Sequence, residues 1–182
     1  MRELPVGYFD FSKDEALNFQ LNRFYSSGTI EYAELMEIGQ RVKGFEEWVA
    51  YFTTLGDDAQ SNGNFLKAAQ CYRAAQFYTL GEKKDKNGIP MKKVLYEKCR
   101  SNYDRVYDKV AGLNYERIPY QNSYLPVYYM KQKSSRKTIV IHGGYDSFVQ
   151  EFMEFVFFSM KKDMMYSFLK DRGREKLYLE EI

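Results

Sequence analysis

The run "TIVIHGGYDSF", Thr138 to Phe148, holds the residue types best suited to chemistry. Aliphatic residues pass into the chain's single histidine, His142, then into Gly143, Gly144, Tyr145 and Asp146. Paired glycines let a backbone approach a ligand, because no side chain shields the amides and positive φ is tolerated. The spacing is neither that of a P-loop nor G-x-G-x-x-G, and no lysine follows in place, which argues against a phosphate. A better match is an oxyanion hole, in which backbone N–H groups are preorganised around the charge that grows on a carbonyl oxygen during nucleophilic attack. A plain structural turn explains the same residues.

Other reactive side chains are scarce. Ser147 follows the loop but has no base within sequence reach, and reads as the start of a helix rather than a nucleophile. Cys71 and Cys99 are the only cysteines. Each falls on a predicted helix at a buried-looking position without a partner at ligand spacing, so packing is favoured over a disulfide, a nucleophile or a metal site. No metal and no cofactor are implied.

The elements that must position the loop follow from periodicity. "SKDE", Ser12 to Glu15, fits a capping box, in which Ser12 caps a helix and Glu15 reaches back; that helix should run to about Tyr25. Further helices are predicted over roughly Thr29 to Val42, through "FEEWVAYFTTLGDDAQ", and through "NFLKAAQCYRAAQFYTLG", where Phe65, Ala68, Ala69, Tyr72, Ala75 and Gln76 form one stripe. A fifth begins near Pro90, suited to a first helical turn, and carries Leu95, Cys99, Asn102, Val106 and Val110 on one face. Beyond Gly112 the pattern alternates, rich in Tyr and Val, and predicts an antiparallel hairpin over about Tyr115 to Lys131 with "QNS" between its halves. Lys137 to Ile141 reads as a buried strand. From Ser147 a helix is expected, with Phe148, Phe152, Phe155, Val156 and Ser159 at helical spacing.

Composition bounds what the chain can be. Its 182 residues suffice for one ordinary domain, or a small one with part of another. Lys+Arg number 27 against 25 Asp+Glu, interspersed, so no basic stripe marks a nucleic-acid partner. An aromatic content of 18% indicates a folded chain. The start shows no secretory signal, and the most apolar window, "FMEFVFFSM", is too short to cross a bilayer. A soluble, cytoplasmic protein with no membrane partner is expected, and a homo-oligomer is left open.

"VIHGGYDS" resembles the loop after the third strand of α/β-hydrolases whose helical domain precedes the sheet, the group of 2,6-dihydropseudooxynicotine hydrolase and prolyl-oligopeptidase-type esterases. The resemblance extends from about residue 10 to about residue 158, since that group also begins with helices, then a hairpin, then this loop. It implies a mainly α chain: a helical cap domain over residues 1–113, then the first strands of an α/β-hydrolase sheet over 114–182, an incomplete α/β core. By carry-over, the amide of Gly144 or Tyr145 supplies an oxyanion donor, His142 and Gly143 shape the turn, and Asp146 holds it through hydrogen bonds. Intact relatives take a small-molecule acyl-type substrate and cleave an ester, amide or activated carbon–carbon bond. The cap's aromatics, among Trp48, Tyr51, Tyr72 and Tyr78, would shape the substrate pocket.

The catalytic residues of that group are missing. It needs a nucleophile in G-x-S-x-G, then an acid and a histidine, and neither that motif nor a histidine after His142 occurs. Where the group shows a strand G-Y-x-V and a turn E-G-P-G-Q-G, this chain reads "SMKKDMMYSFLKDRGREKLYLEEI". Back-translating Lys162 to Lys176, with each codon begun at the third base of the one before, permits G-Y-D-V-F-F-F-E-G-P-G-Q-G-E; the Met164, Met165 and Tyr166 codons force its Asp and Val. The expectation is a hydrolase frame that slipped by one base near Phe157 and Phe158, leaving a truncated, inactive chain. In that group the fourth strand lies between the second and third, so its loss should strip the Lys137 to Ile141 strand of its neighbour, loosen the region from about 137 onward and expose the apolar helix after the loop. Two other readings compete. "NGNFLKAAQCYRAAQFY" resembles half of a tetratricopeptide hairpin and would make the chain an interaction module, although no thirty-odd-residue period repeats. A nucleotide binder using Gly143 and Gly144 is the weaker.

Overall fold

The computed structural model describes residues 5–131, 138–144, 146–160 and 165–169. The chain divides into two compact units, Met1–Tyr107 and Asp108–Ile182.

The first unit is helical: α1 (Glu15–Ser26), α2 (Tyr32–Arg41), α3 (Phe45–Ser61), α4 (Phe65–Tyr78) and α5 (Met91–Tyr107). The cap of α1 differs from expectation. Asp14, not Ser12, is the N-cap, and its carboxylate accepts the Leu17 N–H at 3.0 Å, while the Ser12 hydroxyl accepts the Asp14 N–H at 3.2 Å. A carboxylate in this position also meets the positive end of the helix dipole, which a hydroxyl does less well. On α4 the expected single stripe is exceeded: every residue from Ala68 to Gln76 is buried. The helix packs between α3 and α5, and its run of small alanines allows two close neighbours. Trp48 and Phe52 from α3 and Leu95 and Cys99 from α5 complete this core. Burying a side chain such as Phe52 is worth roughly 1.5–3 kcal/mol. The predicted face of α5 ends early, because Val110 lies past the helix in a turn where Leu113 N–H bonds back to its carbonyl at 3.2 Å.

An N-terminal strap crosses α1 and α2. Asn22 reads it as a neighbouring strand would, its Oδ1 accepting the Phe9 N–H at 2.8 Å and its Nδ2 donating to the Phe9 carbonyl at 2.8 Å. Asn18 Oδ1 accepts the Ser12 N–H at 3.0 Å. The rings of Phe9, Phe11, Tyr25 and Tyr32 interlock, with Phe9 edge-on to both tyrosines at 5.1 Å between centroids. Gly39 permits the crossing, since a Cβ there would fall inside the Phe11 carbonyl.

The second unit opens with β1 (Leu113–Tyr120) and β2 (Ser123–Met130), paired antiparallel around the turn residues Gln121 and Asn122, with Gln121 at φ 51°. β3 (Thr138–Ile141) leads through the glycine loop to a 3₁₀ turn, Val149–Phe152, then α6 (Met153–Met160) and β4 (Met165–Leu169). The sheet order is β1-β2-β4-β3. This corrects the expectation that β3 loses its neighbour: β4 lies between β2 and β3, antiparallel to the first and parallel to the second. A ladder is made of backbone groups, so a short Pro-free stretch rich in Tyr, Phe and Met can fill it. The helix after the loop is likewise not laid bare, because Phe148, Val149, Met153 and Val156 are all buried. The side chains of Phe155 and Ser159 and the whole segment 170–182 lie outside the described residues.

Candidate functional site

The loop His142–Ser147 leaves the sheet at the end of β3. Gly143 is buried, and an added Cβ would stand 2.6 Å from the Ser147 Cβ and 3.1 Å from the Phe152 ring. Gly144 is exposed, and a Cβ there would meet nothing within 4 Å. Neither glycine takes a left-handed conformation, so the reason for Gly143 is close packing rather than the positive φ that sequence reasoning invoked. Ser147 N–H bonds to the Gly144 carbonyl at 3.1 Å and closes a tight turn.

The remaining candidates separate in role. His142 is exposed, with its Nδ1 3.2 Å from the Gly143 carbonyl oxygen. Asp146 is exposed within the turn. At the loop's exit the Glu151 carboxylate accepts the Phe148 N–H at 2.6 Å. Tyr145 lies outside the described residues. Ser147 packs its Cβ on Gly143, and His142 is the only histidine of the chain.

Three residues that sequence reasoning missed, Tyr128, Gln150 and Glu151, bear on the same loop. Gln150 Nε2 donates to the Tyr128 phenol oxygen at 3.4 Å, and both side chains are buried. Nothing local announces a bond between residues 22 apart in sequence. Glu151 did leave a signal, since an acid three residues after a cap position is half of a capping box.

The aromatics of the helical unit divide as well. Trp48 and Tyr72 are fully buried and serve the helical core, Trp48 through its Nε1 bond to the Ala74 carbonyl at 2.9 Å. Tyr72 donates to Asp57 at 2.6 Å, and Lys98 reaches the same carboxylate oxygen at 2.6 Å. Burial, reinforced by the Asp57 carboxylate, pushes the Tyr72 phenol up. Desolvation acts to raise Asp57, but the hydrogen bonds from Lys98 and Tyr72 outweigh it and hold the carboxyl below its usual range. Tyr78 stacks on the exposed Phe45 at 4.2 Å, and Tyr51 lines a groove of about 530 Å³ beside Arg41, Ala50 and Leu55. Both cysteines are buried and free, and burial drives the Cys71 thiol up, away from reactivity. Among the described residues no group of His, Cys, Asp or Glu is arranged to hold a metal, and no helix is long and apolar enough to cross a membrane.

No family model matches the sequence, and no curated protein matches it. Solved structures do share the architecture. One is AbyA5, with a TM-score of 0.58 at 16% identity, covering 79% of this chain and 42% of that one. Another is AbyA5 wild type, with a TM-score of 0.63 at 14% identity over 86% of this chain and 44% of that one. A 2,6-dihydroxy-pseudo-oxynicotine hydrolase aligns more loosely, with a TM-score of 0.44 at 11% identity over 80% of this chain and 44% of that one. The likeness to AbyA5 is one of fold. The chain spans less than half the length of these structures.

Proposed function

We propose that this chain is of α/β-hydrolase lineage, and that its glycine loop is an oxyanion-binding loop without a nucleophile of its own. The supporting observation is the position of the loop. It follows β3 of a β1-β2-β4-β3 sheet, it is tight enough at Gly143 to exclude a side chain, and it is open at Gly144. In this reading an amide at Gly144 or Tyr145 is the donor to the charge that develops on the carbonyl of an acyl-type substrate. The helical unit, residues 1–107, corresponds in this reading to the cap domain of that lineage. These 182 residues contain neither G-x-S-x-G nor a histidine after His142, so the hydroxyl attack and proton relay of such enzymes have no carriers here.

The test is direct. The purified chain should neither hydrolyse p-nitrophenyl esters nor be labelled by a fluorophosphonate that modifies activated serines, and turnover by a homogeneous sample would refute the reading. The reading-frame proposal has its own check. The codons for Lys162 to Lys176, read from each third base, should spell a strand and an E-G-P-G-Q-G turn, and a protein expressed in that frame should gain esterase activity.

A further inference from the structure

We infer that Tyr128 and Gln150 are positioning residues that hold the glycine loop to one transverse row of the sheet. The inference rests on the reading of that loop as an oxyanion-binding loop. The row is given by strand register: Tyr115 of β1 pairs with Tyr128 of β2, Tyr128 with Phe168 of β4, and Phe168 with Ile141 of β3. Ile141 is the last residue of β3, so the loop departs from the row in which Tyr128 sits. The chain then passes through residues 142–149 and returns to that row, because Gln150 Nε2 donates to the Tyr128 oxygen at 3.4 Å. The loop is therefore tethered at both ends to the same row, by the backbone ladder at Ile141 and by a side-chain bond at Gln150.

Several contacts make the tether specific. Tyr128 packs on the Tyr115 ring at 4.9 Å between centroids, which restricts where its phenol can stand. Phe148, Val149 and Gln150 are all buried, so the returning segment has little freedom to slide. Phe152, in the same 3₁₀ turn as Gln150, closes on Gly143. A shift of that turn would thus be transmitted to the glycine amides. An oxyanion donor loses its value when displaced by a fraction of an ångström, which is why such donors are held by supporting contacts.

Tyr128→Phe keeps the ring and removes only the oxygen. In the full chain it should speed hydrogen exchange at the Ser147 and Glu151 amides, which bond to the Gly144 and Phe148 carbonyls, by about threefold to tenfold, the range supplied by one net hydrogen bond. It should also move the Gly143 and Gly144 amide resonances, while exchange at Glu116 and Ile118 in the β1–β2 ladder stays unchanged. Gln150→Leu should do the same, and the double variant should show no more than either single one. Gln150→Glu retains a group able to accept from the Tyr128 hydroxyl and should restore most of the protection, but not when combined with Tyr128→Phe. Unchanged loop exchange, additive effects, or an equal rise along the β1–β2 ladder would each overturn the inference. These readouts do not depend on catalysis, so a failure here is distinct from a failure of the oxyanion reading, which falls on ester turnover by the chain.

Discussion

Replacing Gly143 by alanine puts a methyl group where the structure has no room. The new Cβ would stand 2.6 Å from the Ser147 Cβ and 3.1 Å from the Phe152 ring, against an optimal carbon–carbon separation of about 3.5–4.0 Å. The first obstacle is the harder, since a Cβ is bound to its own backbone and cannot rotate away. Overpacking of this kind costs about 1–3 kcal/mol, set against a gain of about 0.4–1 kcal/mol from the stiffer unfolded chain. Gly143→Ala should therefore lose about 1–2 kcal/mol in the second unit. Gly144→Ala carries the same chemical change into open space and should be neutral or slightly stabilising. The pair shares composition, charge and loop, so the difference between them isolates packing. Tryptophan fluorescence would miss it, because Trp48 is the chain's single tryptophan and lies in the helical unit. Hydrogen exchange along the β1–β2 ladder, or proteolysis at increasing urea, reads the correct unit. If Gly143→Ala proves as resistant as Gly144→Ala, the close packing of the loop is refuted.

In the helical unit, Gly39→Ala should release the N-terminal strap, because its Cβ meets the Phe11 backbone carbonyl rather than a movable side chain; proteolysis near Phe9 should accelerate markedly, and an unchanged cleavage rate would contradict the crossing geometry. The Asp57 carboxylate is held below its ordinary value by Lys98 and Tyr72 against its own desolvation. Its stabilising contribution is therefore present above the unfolded value of about 3.9 and fades as pH falls through the lower folded value. The stabilities of the wild type and Asp57→Asn, followed by thermal unfolding, should differ at pH 7 by less than about 1 kcal/mol, because the pair is partly solvated, and converge below about pH 4; a difference that persists at low pH would point to packing rather than charge.

Most of the helices and the hairpin were legible because their signals are local. Periodicity placed α3 and α4 closely, and "QNS" marked the turn between β1 and β2. The cap of α1 was misplaced by two residues because Ser12 and Asp14 both qualify by type, and only the fold decides which of them faces the first free N–H groups. Of the candidate site, the order strand, paired glycines, helix could be read directly. Two things could not: the reason for Gly143, which is the proximity of Ser147 and Phe152, and the anchoring of the loop through Tyr128, a residue two strands away.

The amino-acid string alone carried the scarcity of chemistry. One histidine, two cysteines and no serine elbow bound what these residues can do whatever shape they take, because a reaction requires functional groups that composition either supplies or lacks. Tertiary structure decided the neighbours. β4 lies between β2 and β3, since backbone hydrogen bonds accept almost any extended segment. Trp48 and Tyr72 became core rather than pocket, since α4 is enclosed by helices on two sides. Contacts of that kind join residues far apart along the chain, and no local pattern encodes them.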